Sequence, residues 1–82
     1  MTKRLVDCRA GDRVVVSAIE ASAARIDKLA SVGIMPGVEL RVQQTRPVIL
    51  VECEETVLAL EREISADVKI VAIGNGVSRA AE

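Results

Sequence analysis

The sequence contains no phenylalanine, tyrosine, tryptophan or histidine. Without aromatic rings there is no stacking platform for single-stranded nucleic acid and no ring-lined groove for a polyproline helix. The 11 basic and 12 acidic residues nearly cancel, to a net charge of −1, and the two signs are interspersed along the chain. The basic stripe that marks a nucleic-acid binder is missing, so nucleic acid is not an expected partner. The absence of histidine removes the Ser/His pair, the imidazole general base and the imidazole metal ligand. There are only two cysteines, Cys8 and Cys53, far apart and in no CxxC element. One disulfide is arithmetically open to them, but in a chain with no export signal they read as reduced thiols. The opening "MTKRLVDCRA" has basic residues with no apolar run behind them, which is not a signal peptide. No stretch approaches the roughly 20 apolar residues of a membrane span. A cytoplasmic protein with no direct membrane insertion is expected.

What is present is aliphatic. Hydrophobic residues make up 50% of 82 positions, enough for one small packed core. A single domain over 1–82 is expected, with its core at about 5–73 and an aperiodic, frayed tail at 74–82. "RVVVSAI" (13–19), introduced by the turn signal "AGD", reads as a strand apolar on both faces. The period then changes: Ala23, Ile26, Leu29 and Ala30 fall at helical spacing, with Ser22 as N-cap.

The stretch "LASVGIMPGVEL" (29–40) combines a helix stop, a tight turn and a strand start. Gly33 sits where the helix must end in a left-handed residue, and Ile34 supplies the apolar contact back onto the last turn. Met35-Pro36-Gly37-Val38 has the composition of a type II turn, with proline first and glycine second at the central positions. From there Val38, Leu40 and Val42 alternate with Glu39, Arg41 and Gln43. "PVILVEC" (47–53) reads as the next strand, entered at Pro47 after a short connection at 44–46. "TVLALE" (56–61) alternates with Leu58 and Leu60 inward, after an acidic turn at Glu54-Glu55. "REISADV" makes about one helical turn, and "VKIVAI" (68–73) is a final strand. The fold class is mainly β: a small SH3-like, partly open barrel of about five strands, with one inserted α-helix covering an end.

Leu29, Val32, Gly33, Ile34, Pro36, Gly37, Val38, Leu40 and Val42 follow the pattern Leu, two residues, aliphatic, Gly, aliphatic, any residue, Pro-Gly, alternating strand. In this the chain resembles the ferrous iron transport protein A (FeoA-like) domain family. The likeness runs from about residue 5 to 73, through "GDRVVVSAI" before the corner and "RPVILVECEETVLALEREISADVKIV" after it. Two departures stand out. The loop around Thr45-Arg46-Pro47 is shorter than the family's glycine-containing hairpin, and "CEET" replaces a glycine-bearing turn. The resemblance implies a cytosolic accessory of ferrous iron uptake that is not itself a transporter. Its implied partner is the large membrane ferrous iron transporter, the B component, which carries a cytosolic GTP-hydrolysing domain. The same domain type is similar to the C-terminal SH3-like module of iron-dependent repressors, so a self-associating or regulatory module is the alternative reading.

Ile34 and Met35 are expected to project from the corner as an apolar patch, with Leu29 on the adjoining helix face. Leu29, Ile34, Met35 and Pro36 are therefore the candidate partner-binding residues. No metal site is expected: Cys53 lies beside Glu52, Glu54 and Glu55, but neighbours on a strand point to opposite faces. No cofactor is expected either. The carboxylates are scattered, and no glycine-rich phosphate cradle opens a helix, so the chain does not read as an enzyme. Strand addition, by a partner or in a homodimer, is expected to use 47–53 or 68–73 as its template.

Overall fold

The computed structural model describes residues 3–75. β1 (Lys3–Arg4) leads into a 3₁₀ turn at Leu5–Asp7, followed by β2 (Asp12–Ile19) and α1 (Ala23–Ser31). Then come β3 (Glu39–Gln44), β4 (Ile49–Cys53), β5 (Thr56–Leu60), the one-turn helix α2 (Arg62–Ser65) and β6 (Val68–Asn75). All strands are antiparallel in one six-stranded sheet of order β1-β6-β2-β3-β4-β5. The sheet wraps one core and stays open between β1 and β5, as a mainly β, partly open SH3-like barrel.

Alternation carries most of this architecture. Val14 and Val16 of β2, Leu40 and Val42 of β3, and Ile49 and Val51 of β4 are buried, with Val68 and Ile70 of β6. Leu5, Leu29, Ile34, Leu60 and the two thiols complete a core without a single ring. β2 is bulged, with register shifts at Arg13/Val14 and Val16/Ala18, which lets one long strand bend while pairing with both β3 and β6. Of α1, Leu29 alone is fully buried. The helix is also tied to the start of β6 by the Arg25–Asp67 ion pair at 2.9 Å.

Four expectations need correction. There are six strands rather than about five, because β1 is two exposed charged residues with no period to read. Pro47 does not open a strand: it follows a cis peptide bond in the connection, and β4 begins at Ile49. Gly74 and Asn75 are not frayed but pair with Arg13 and Asp12, while 76–82 lie outside the described residues. Finally, 47–53 and 68–73 are not free templates, since β4 lies between β3 and β5, and β6 between β1 and β2. The sheet edges are β1 and β5.

Candidate functional site

The elbow joining α1 to β3 is built from backbone hydrogen bonds. Ser22 Oγ accepts from the Arg25 amide at 3.2 Å and starts the helix. At the other end the Ile34 amide donates to the Leu29 carbonyl (2.9 Å) and the Gly33 amide to that of Ala30 (3.0 Å). This double return is the Schellman arrangement, and it requires the left-handed φ of 96° that Gly33 adopts. The Val38 amide then donates to Met35 at 3.2 Å across a turn in which Gly37 has φ 95°. Two further bonds fasten the elbow to β2: Gly37 N–H to the Val16 carbonyl (2.7 Å), and Val16 N–H to the Val38 carbonyl (2.9 Å). The amides of Val32, Gly33, Ile34, Gly37 and Val38 all have backbone partners, which makes the elbow a fixed platform.

That geometry divides the four sequence-predicted residues. Leu29 is 4% exposed and Ile34 0%, since both close the Schellman contact into the core. Met35 is 44% exposed and Pro36 lies on the surface. Val32, which the sequence reading passed over, is 46% exposed. The apolar surface of the elbow is thus Val32, Met35 and Pro36, held from beneath by Leu29 and Ile34. The missed signal was available: Val32 is the C-cap of a helix whose stop was already located.

The elbow abuts the β4–β5 hairpin. Cys53 Sγ lies 3.8 Å from the Gly33 carbonyl, as a weak donor. An open polar depression runs beside this contact, lined by Gly37, Val38, Glu39, Arg41, Glu52 and Glu54. Its charges are largely spent on one another: Arg13 reaches Glu39 at 2.9 Å, and Glu52 accepts from Gln43 at 3.2 Å with Arg41 at 3.9 Å. Cys53 points inward and Glu52 outward, so thiol and carboxylate diverge. Burial, and next the charge of Glu54, pushes the Cys53 thiol up from its ordinary value. Burial likewise raises the Cys8 thiol to about 11; Lys3 opposes that rise, and Asp12 and Asp7 add to it. Both side chains are protonated at neutral pH. Among the described residues no three Cys, Asp or Glu side chains are grouped to hold a metal ion. No helix among them is long and apolar enough to cross a membrane.

Comparison with known proteins supplies the family. The FeoA domain profile matches residues 3–72. No curated protein matches the chain. Among solved structures, the crystal structure of an iron uptake regulatory protein (FeoA) superposes with a TM-score of 0.83 at 22% identity, covering 89% of this chain and 99% of that one. The solution structure of the FeoA protein from Chlorobium tepidum gives 0.81 at 25% identity, over 88% of this chain and 71% of that one. A manganese-dependent transcriptional repressor also gives 0.81, at 26% identity, over 88% of this chain but only 42% of the repressor. With the helix stop and the Pro-Gly turn where the pattern places them, and the profile spanning nearly all the described residues, the chain belongs to the FeoA domain family.

Proposed function

We propose that this FeoA-type domain is a cytosolic, non-catalytic accessory of ferrous iron uptake that docks on the cytosolic region of the large GTP-hydrolysing iron transporter and modulates it. The observation that carries the reading is the rigid elbow, which presents Val32, Met35 and Pro36 within a family match over residues 3–72. An exposed methionine on an immobilised backbone suits an apolar docking contact, because its side chain adapts while its anchor does not. The candidate docking surface is therefore narrower than the sequence pattern implies, with Leu29 and Ile34 serving as its support.

Retention on the immobilised cytosolic region of the transporter tests this. Wild type binds, while Val32→Asp and Met35→Asp each lose retention with unchanged circular dichroism. No retention of the wild type, or indifference to both substitutions, rejects the reading. The likeness to the manganese-dependent repressor supports a second reading, in which the domain acts as a regulatory module that pairs with another soluble protein. That reading predicts retention by such a protein and none by the transporter.

A further inference from the structure

The two edges of the sheet differ in a way that bears on binding. β1 is blunted: it has two residues, Lys3 and Arg4, both charged and exposed. β5 has five residues, "TVLAL", with neither charge nor proline, and it pairs with β4 alone. The two-residue loop at Glu54-Glu55 sets the hydrogen-bonding phase of the hairpin, since the pair flanking such a loop exchanges ladder bonds. Cys53–Thr56, Val51–Leu58 and Ile49–Leu60 are then the bonded pairs, and the peptide groups of Val57 and Ala59 face the open side. The Val57 side chain is 50% exposed. An unpaired edge of this length and composition is a template for one more strand.

Charge selects the occupant. Among the described residues Asp7, Glu20, Glu39, Glu52 and Asp67 are engaged in ion pairs. Glu54, Glu55, Glu61 and Glu63 are exposed, belong to none of these pairs, and bracket β5 at its two ends. Arg62 donates from Nη1 to the Thr45 carbonyl at 2.8 Å and offsets only one of the two carboxylates beside it, Glu61 and Glu63, so that end stays negative. The edge is therefore neutral and apolar at its centre and negative at both ends. A second copy is a poor fit: antiparallel self-pairing about Leu58 sets Glu55 opposite Glu61 twice, and like charges across a pair repel. We propose that the free edge of β5 binds an extended peptide segment with alternating apolar residues at its centre and basic residues on both flanks. The site uses none of the elbow residues and stands apart from the transporter-docking reading.

The probe is the synthetic peptide Lys-Lys-Val-Thr-Val-Thr-Val-Lys-Lys, titrated into the ¹⁵N-labelled full chain. Saturable binding is expected, with amide shifts and slowed hydrogen exchange centred on Val57 and Ala59. The double variant Glu55→Lys/Glu61→Lys is expected to bind about tenfold more weakly. The same peptide with glutamates in place of lysines is expected not to bind the wild type. Val57→Pro removes an edge donor that the β4 ladder does not use, so the chain folds and the affinity disappears. Met35→Asp leaves the peptide affinity within about twofold, so failure of this site and failure of transporter docking are read separately. Absence of binding, equal affinity for the glutamate-flanked peptide, or shifts centred on the elbow overturns the proposal. So does a concentration-dependent dimer that protects the Val57 and Ala59 amides without peptide, which would make the occupant a second copy. Should Val57→Pro not fold, the charge-reversal variant carries the test.

Discussion

The elbow between α1 and β3 and the hairpin between β4 and β5 touch through Gly33 and Cys53, yet they reach the left-handed region by different means. The elbow places glycine at both of its positive-φ positions, 96° and 95°, and seats Ile34 fully in the core. The hairpin makes its turn with Glu54 at φ 59°, the only positive-φ residue other than glycine among those described. A side chain there costs about 1 kcal/mol. The elbow has to stop a helix and aim a surface, and it does so without strain. The hairpin can hold strain because the register of β4 on β5, through five consecutive pairs, leaves its two-residue loop no other path.

Truncation gives the largest test of this contrast. Ile34→Ala is expected to cost about 3 kcal/mol in urea unfolding, from lost burial and a residual cavity. The equivalent change at exposed Val57, Val57→Ala, is expected to cost under about 0.5 kcal/mol. Equal costs would show that the elbow is not the anchored member of the pair. Gly33→Ala and Gly37→Ala come next, each losing about 1 kcal/mol. A Cβ at Gly33 would meet Cys53 Sγ at 3.7 Å, an ordinary contact, and one at Gly37 nothing within 4 Å. The loss is then backbone strain alone and should be equal at the two sites, as thermal unfolding can measure. A several-fold larger loss at Gly33 would mean that the two turns are packed more tightly than these distances allow.

Glu54→Gly runs in the opposite direction. It relieves the hairpin and is expected to raise stability by about 0.5 kcal/mol, the strain removed being partly offset by the freedom glycine gains in the unfolded chain. A loss of stability would show that Glu54 is not strained. The smallest effect is chemical. Glu54 helps hold the Cys53 thiol protonated, so removing its charge lowers that pKa and increases the thiolate fraction. Burial, the larger cause, remains. Iodoacetamide should therefore label Cys53 of Glu54→Gly at most about twofold faster at pH 8, while Cys8, with its thiol at about 11, stays slow in both proteins.

The elbow was legible because each of its devices is local. Ser22, Gly33, Pro36 and Gly37 act on amides within a few residues of themselves, and the switch from helical spacing to alternation at Val38 needs no distant partner. The contact surface was only half legible. Ile34 and Met35 are adjacent apolar residues, and composition cannot say which enters the core; the Schellman return turns Ile34 inward and leaves Met35 outside. The edges were misread for a different reason. Strand character was correct at 49–53 and 68–73, but whether a strand is interior depends on pairings such as Val16 with Ile70, 54 residues apart in the chain. The pair Lys3–Arg4 left no trace in the pattern, since two exposed charges become a strand only because β6 offers them an edge.

The sequence by itself determined an aliphatic core without rings, a chain without imidazoles, a capped helix ended by glycine, and strands whose alternation selects one buried face. All of these follow from interactions within a strand or a helical turn. Only the tertiary structure decided that β5 is the exposed edge, that Ile34 supports the elbow surface instead of forming it, and that Glu54 occupies a position suited to glycine. Those outcomes depend on which distant segments share backbone hydrogen bonds, and local period and propensity carry no record of that choice.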